Sequence, residues 1–187
     1  MASADIPLAG GGGATVWLTG LPAAGKTTLA LALQARLHEA GRCAVVLDGD
    51  ELREGLCADL GFSRADRAEN ARRAAHVAAL VAGAGAVALV ALVSPYLVDR
   101  AAARSLHDER GLRFVEVWCN RSLADCERDD PKGLYARSRA GRLAGLTGID
   151  GVYEPPLSPE LELEPGRETV AQSVERALRL LAGAARP

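Results

Sequence analysis

Gly20-Leu21-Pro22-Ala23-Ala24-Gly25-Lys26-Thr27 reads G-x-x-x-x-G-K-[ST], the spacing of a phosphate-binding P-loop, and its neighbours agree with it. Before the loop, Ala14 to Leu18 is a short apolar run of strand-favouring residues. After it, Thr28 to Ala40 is rich in alanine and leucine and stops at Gly41, as a helix does. Strand, glycine loop and helix is the order in which backbone N–H groups and a helix N-terminus close around phosphate oxygens. Lys26 is one of only two lysines among 22 basic residues. A compact ammonium reaches β- and γ-phosphates where a forked guanidinium does not fit, and Thr27 offers its hydroxyl to Mg²⁺.

Outward from the loop, strand-like runs recur at Thr15–Leu18, Cys43–Leu47, Ala86–Val93 and Arg113–Trp118, with a weaker one at Leu161–Leu163. Helical patterns fall between them at Thr27–Ala40, Asp50–Leu56, Arg64–Ala82, Asp99–Arg110, Leu123–Arg128, part of Leu134–Leu143, and Glu168–Ala182. The alternation predicts an α/β fold: a five-stranded parallel sheet with helices on both faces. In such a sheet ligands collect beyond the carboxyl ends of the strands. The residues that follow the runs are the P-loop, Asp48-Gly49-Asp50, Ser94-Pro95-Tyr96, and the segment around Lys132.

The 187 residues, 49% hydrophobic, fit a single domain over 14–187, with 1–13 read as a flexible leader. A net charge of −2 gives no general attraction to nucleic acid or to an anionic membrane. Cys43, Cys57, Cys119 and Cys126 have neither zinc nor C-x-x-C spacing and read as buried thiols of a cytoplasmic protein. Ala74 to Val93 lacks acidic and basic residues over a length that meets the roughly 18-residue membrane criterion. His76 and Gly83-Ala84-Gly85 interrupt it, and a helix end followed by a buried strand explains it better.

Asp48 and Asp50 follow an apolar strand directly. Phosphoryl transfer calls for one carboxylate that holds Mg²⁺ and one that accepts a hydroxyl proton, although both residues also suit a helix N-cap. Ser63 and Asp66 have capping-box spacing. Arg67 and Asn70 share a helical face suited to a polyanion, Phe62 can stack on a flat base, and Glu69 with Arg72 and Arg73 reads as a solvated ion-paired surface. By pattern alone this whole stretch reads as a solvated surface. Asp129 to Arg142, charged and bounded by Pro131 and Gly141, reads as a mobile lid of the kind that closes over phosphates, or as a plain exposed helix.

Six strings in order, Gly-Leu-x-x-x-Gly-Lys-Thr-Thr (20–28), Leu-Asp-Gly-Asp-x-x-Arg-x-Gly-Leu (47–56), Leu-Gly-Phe-Ser-x-x-Asp-Arg-x-Glu-Asn-x-Arg-Arg (60–73), Ser-Pro-Tyr (94–96), Asp-Pro-Lys-Gly-Leu-Tyr (130–135) and Gly-Ile-Asp-x-x-Tyr-Glu-x-Pro (148–156), together resemble adenylyl-sulfate kinases. The resemblance implies the P-loop nucleoside-triphosphate hydrolase fold. It also implies transfer of phosphate from ATP to the 3′-hydroxyl of adenosine 5′-phosphosulfate, with Mg²⁺ as cofactor, in a homodimer linked functionally to sulfate adenylyltransferase. It assigns ATP binding to Gly20 through Thr28 and Arg128, acceptor binding to Asp48, Arg53, Phe62, Arg67, Asn70, Ser94, Lys132 and Leu134, and metal binding to Thr27 and Asp48. Lys26, Asp48, Asp50, Ser94 and Lys132 become the catalytic set.

Family descriptions sometimes treat the serine matching Ser94 as a phosphorylated intermediate. No base adjoins Ser94 in sequence, and direct in-line transfer needs no enzyme nucleophile. The chain departs from the family pattern at Pro22-Ala23-Ala24, Leu97, Gly151-Val152 and Asp129, the last standing where arginine is usual. Arg128 is the nearest substitute cation, and Asp129→Arg is expected to lower the KM for ATP. A related kinase with another acceptor, or a non-catalytic nucleotide-binding partner of a sulfate-activating enzyme, are the competing readings.

Overall fold

The computed structural model describes residues 12–183, so residues 1–11 of the expected leader lie outside the described residues. Its strands are β1 (Ala14–Thr19), β2 (Ala44–Asp48), β3 (Val87–Ala91), β4 (Arg113–Cys119) and β5 (Leu161–Leu163). They form one sheet in the order β2-β3-β1-β4-β5, with every pairing parallel. The helices are α1 (Lys26–Glu39), α2 (Gly49–Glu54), α3 (Arg64–Gly83), α4 (Leu97–Asp108), α5 (Leu123–Asp129), α6 (Leu134–Arg139) and α7 (Val170–Ala182).

All six residues of β1 are buried, which is why its sequence is a continuous run and not an alternation: both faces of a central parallel strand are covered. Val16 and Leu18 pack with Leu29, Leu33 and Leu37 of α1 and with Val174, Leu178 and Leu181 of α7. Trp17 points to the other face, against Ala71, Ala74, Ala75 and Ala78 of α3 and Phe114 of β4. Each fully buried leucine contributes about 2 kcal/mol by removal of apolar surface from water. The small side chains of α3 let that helix lie close to the sheet around the large indole.

The uncharged stretch from 74 to 93 is the end of α3, a turn through Gly85 at φ 87°, and β3. Among the described residues no helix is long and apolar enough to cross a membrane. β3 is shorter than the expected Ala86–Val93, because the chain leaves the sheet after Ala91 and reaches Ser94 at φ 37°. The helix starts follow their caps: Ser63 with Asp66 and Thr169 with Gln172 both form reciprocal capping boxes. Of the four cysteines, Cys57, Cys119 and Cys126 are buried free thiols, whereas Cys43, just before the edge strand β2, is exposed, against the expectation that all are buried.

The register brings the strand ends level. Leu18 and Asp48 both pair opposite Ala91, and Thr19 lies opposite Trp118. The loops after β1, β2, β3 and β4 therefore share one rim.

Candidate active site

The P-loop owes its shape to two glycines. A Cβ on Gly20 would lie 2.6 Å from the Cys119 carbonyl oxygen, and Gly25 has φ 88°. Lys26, 8% exposed, folds its ammonium back to donate to the carbonyls of Gly20 at 3.0 Å and Leu21 at 2.7 Å. Burial drives its pKa down to about 8. The carbonyl of Pro22 accepts the hydroxyl of Tyr135 at 2.9 Å, and that of Ala23 accepts Arg121 Nη1 at 3.0 Å, so both outward carbonyls are tied to neighbouring elements.

Asp48 ends β2 and uses its two oxygens differently. Oδ1 accepts the Asp50 backbone N–H at 2.9 Å and caps α2; Oδ2 accepts the Thr27 hydroxyl at 2.6 Å. Capping and a place beside the P-loop are thus properties of one side chain. Asp50 pairs with Lys132, which reaches it from the loop between α5 and α6. Asp130 steadies that loop by accepting the Ala136 N–H at 3.0 Å, Tyr135 is buried beneath it, and Leu134 packs on the same core. The segment from 129 to 142 is therefore partly anchored: α6 is seated on the P-loop through Tyr135, and Lys132 faces the β2 tip.

On the same side of β1 as Asp48, the face at the start of α3 is assembled around Phe62. Its exposed ring has the Arg53 guanidinium 4.3 Å and the Arg67 guanidinium 5.6 Å from its centroid. Arg53 is held by the carbonyls of Leu60 at 3.0 Å and Gly61 at 2.9 Å; Arg67 by those of Phe62 at 3.0 Å and Gly145 at 3.1 Å. One turn on, Asn70 is 5% exposed and its amide Nδ2 has no hydrogen-bond partner among the described residues, a costly state for a buried donor. Beyond it the ion-paired surface is as read: Glu69 joins Arg72 at 2.7 Å and Arg73 at 2.9 Å.

Ser94 is buried, and its Oγ accepts the Trp17 indole N–H at 3.0 Å. Among the described residues no carboxylate or imidazole bonds to it; its Oγ also donates to the Leu92 carbonyl at 3.5 Å. Sequence reasoning missed Arg100, 2% exposed, which joins Glu116 at 2.7 Å and donates to the carbonyls of Ser94 and Glu154, each at 2.7 Å. Arg100 thereby ties the 148–156 string to the β3 end, where Tyr153 also meets Thr19 at 3.1 Å. Nothing but the strand-end rule pointed to it.

Arg128 turns to Asp125 at 2.6 Å and Asp129 at 3.5 Å and stays two-thirds exposed. The arginine that touches the P-loop is Arg121, just past β4, and its second partner is Asp129. Among the described residues no group of three His, Cys, Asp or Glu could hold a metal by itself. One hydroxyl and one carboxylate fit Mg²⁺ that arrives already bound to nucleotide phosphates.

The adenylylsulphate kinase family model matches residues 12–164. The adenylyl-sulfate kinase of Paraburkholderia xenovorans is 52% identical over 166 residues, covering 89% of this chain and 91% of the relative. The bifunctional enzyme CysN/CysC of Mycobacterium tuberculosis is 52% identical over 163 residues, but the match spans 87% of this chain and only 26% of that enzyme. The solved Mycobacterium tuberculosis APS kinase CysC, in complex with AMPPNP and APS, superposes with a TM-score of 0.90 at 49% identity, covering 92% of this chain and 99% of that one.

Proposed function

This chain belongs to the adenylylsulphate kinase family, and we propose that it transfers the γ-phosphoryl group of ATP to the 3′-hydroxyl of adenosine 5′-phosphosulfate, giving 3′-phosphoadenosine 5′-phosphosulfate and ADP. The observation that carries this reading is the meeting of four elements at one rim: Thr27 of the P-loop bonded to Asp48 of β2, and Asp50 of α2 paired with Lys132 of the loop between α5 and α6.

Residues 14–187 act as one kinase domain. ATP lies along Gly20 to Thr28, where Lys26 exchanges its two carbonyl partners for phosphate oxygens. Thr27 and Asp48 would hold Mg²⁺, which when bound would supply positive charge to the β- and γ-phosphates. The acceptor takes the face of Arg53, Phe62, Arg67 and Asn70, its base on the Phe62 ring and its anionic end against the guanidinium groups. Of the carboxylates Asp48 and Asp50, one orients the metal-bound phosphates and the other accepts the proton of the attacking hydroxyl. Lys132 leaves Asp50 for the transferring group as the lid closes and excludes water. Ser94 holds the floor of the site through Trp17, and the transfer is direct.

A coupled ADP-release assay with adenosine 5′-phosphosulfate beside other nucleotides and simple alcohols tests this. Turnover with adenosine 5′-phosphosulfate alone supports the reading; turnover only with another acceptor, or none, overturns it. The enzyme works in the cytoplasm as a homodimer, next to a sulfate adenylyltransferase that supplies its acceptor. The bifunctional relative, of which this chain matches 26%, supports such a coupling.

A further inference from the structure

We infer that Arg121 is a nucleotide-positioning residue, which with Asp129 as its counter-ion fixes the outer wall of the P-loop on the donor side of the sheet. The inference rests on the P-loop being the ATP site, as proposed above.

Topology separates the two substrates. Asp48 and Arg53 follow β2 and Ser94 follows β3, both on one side of β1, and the α3 face lies with them. Arg121 follows β4, on the other side. Inside a P-loop the N–H groups converge on phosphate, so its carbonyls face out, and Arg121 Nη1 holds one of them, that of Ala23, at 3.0 Å. Ala23 has φ 60°, a left-handed conformation that an alanine keeps only where its surroundings pin it.

The same guanidinium donates from Nη2 to Asp129, the last residue of α5, from which the lid departs. Its Nε is buried without a partner among the described residues, and the turn before α7 closes over it: a Cβ on Gly166 would lie 3.7 Å away. The Arg121 side chain is only 14% exposed, and a guanidinium so enclosed needs a counter-charge. Asp129 supplies it, and the hydrogen bond from Arg121 holds the Asp129 carboxyl below the usual range. An arginine at 129 would instead take away the Arg121 counter-ion and add a third cation beside Arg121 and Arg128, with Asp125 already committed to Arg128. The expectation that Asp129→Arg lowers the KM for ATP is thereby reversed.

The test compares wild type with R121A, R121K, D129N and D129R, reading kcat, the KM for each substrate and the thermal midpoint. R121A is expected to raise the KM for ATP about tenfold, with the KM for adenosine 5′-phosphosulfate and kcat within about twofold. R121K, which keeps the charge but not the two-pronged bridge, should fall between them, and D129R should raise the KM for ATP. An unchanged KM for ATP in R121A, a rise of both KM values together, or a lower KM for ATP in D129R overturns the inference. Should R121A fail to fold, R121K and D129N decide in the same way. If wild type does not turn over adenosine 5′-phosphosulfate, the functional assignment fails separately, and calorimetric ATP binding by the same variants still reads the role of Arg121.

Discussion

The Thr27 hydroxyl lies 2.6 Å from Asp48 Oδ2, so the residue that ends the P-loop and the residue that ends β2 share a hydrogen bond. The carboxylate is thereby held against the P-loop, while its other oxygen caps α2. Asp48→Ala should lower kcat by at least about 100-fold, the scale of a lost general base or metal-orienting group, with ATP affinity changed only a few-fold. ADP release and calorimetric binding check the two halves. Near-normal turnover would remove Asp48 from the mechanism.

Lys132 and Asp50 are both more than half exposed, so their pairing adds little to stability and is free to exchange for a phosphate. Lys132→Ala should cut kcat about 100-fold and leave the thermal midpoint within about 1 °C. A large drop in the midpoint with turnover intact would make the pair structural.

Burial lowers the pKa of Lys26 to about 8, whereas bound phosphates need the ammonium form. Below pH 8 the cation is already present. Above it, ATP binding must take up a proton, and affinity should fall by up to about tenfold per pH unit. Calorimetry in buffers of differing ionisation enthalpy reads the proton directly; no uptake near pH 9 would contradict the assignment. The same shift makes the unliganded fold gain stability between about pH 8 and 10.5, where only the unfolded chain keeps the proton.

His107 is fully buried, with one ring nitrogen on Thr15 Oγ1 at 2.8 Å and the other on the Ala103 carbonyl at 2.7 Å. Burial depresses its pKa below the ordinary 6.5. The unfolded state then binds a proton that the folded state refuses, so stability present above pH 6.5 is lost as pH falls below it. Urea midpoints for wild type and His107→Gln from pH 7 to 5 should converge as the pH drops; parallel curves would exclude His107 as the cause.

Ser94→Ala should keep turnover within about tenfold, because the Ser94 hydroxyl accepts from Trp17 and, among the described residues, bonds to no base. It should also lower stability by about 1–3 kcal/mol, since the indole N–H is left buried and unpaired. Loss of all turnover in a folded variant would restore a covalent role for Ser94.

Most of this fold was legible because its signals are local. The P-loop string, the buried run at Ala14–Thr19, the strand-favouring run at Arg113–Cys119, and the Ser63–Asp66 cap each specify an element within a few residues. Asp48 was legible for the same reason, as an acid at a strand end. What depends on sequence separation was not. Arg121 meets Ala23 across 98 residues and Arg100 meets Glu154 across 54, and an arginine in a chain that holds 20 of them carries no mark of its partner. The pairing of Arg128 with Asp125, by contrast, follows from helical spacing alone.

The most direct test follows the phosphate itself. With γ-labelled ATP and adenosine 5′-phosphosulfate, the label should appear in a nucleotide from which a 3′-specific phosphatase removes it, and at no time on the protein. Label retained on the polypeptide, or none transferred to the nucleotide, would contradict the account.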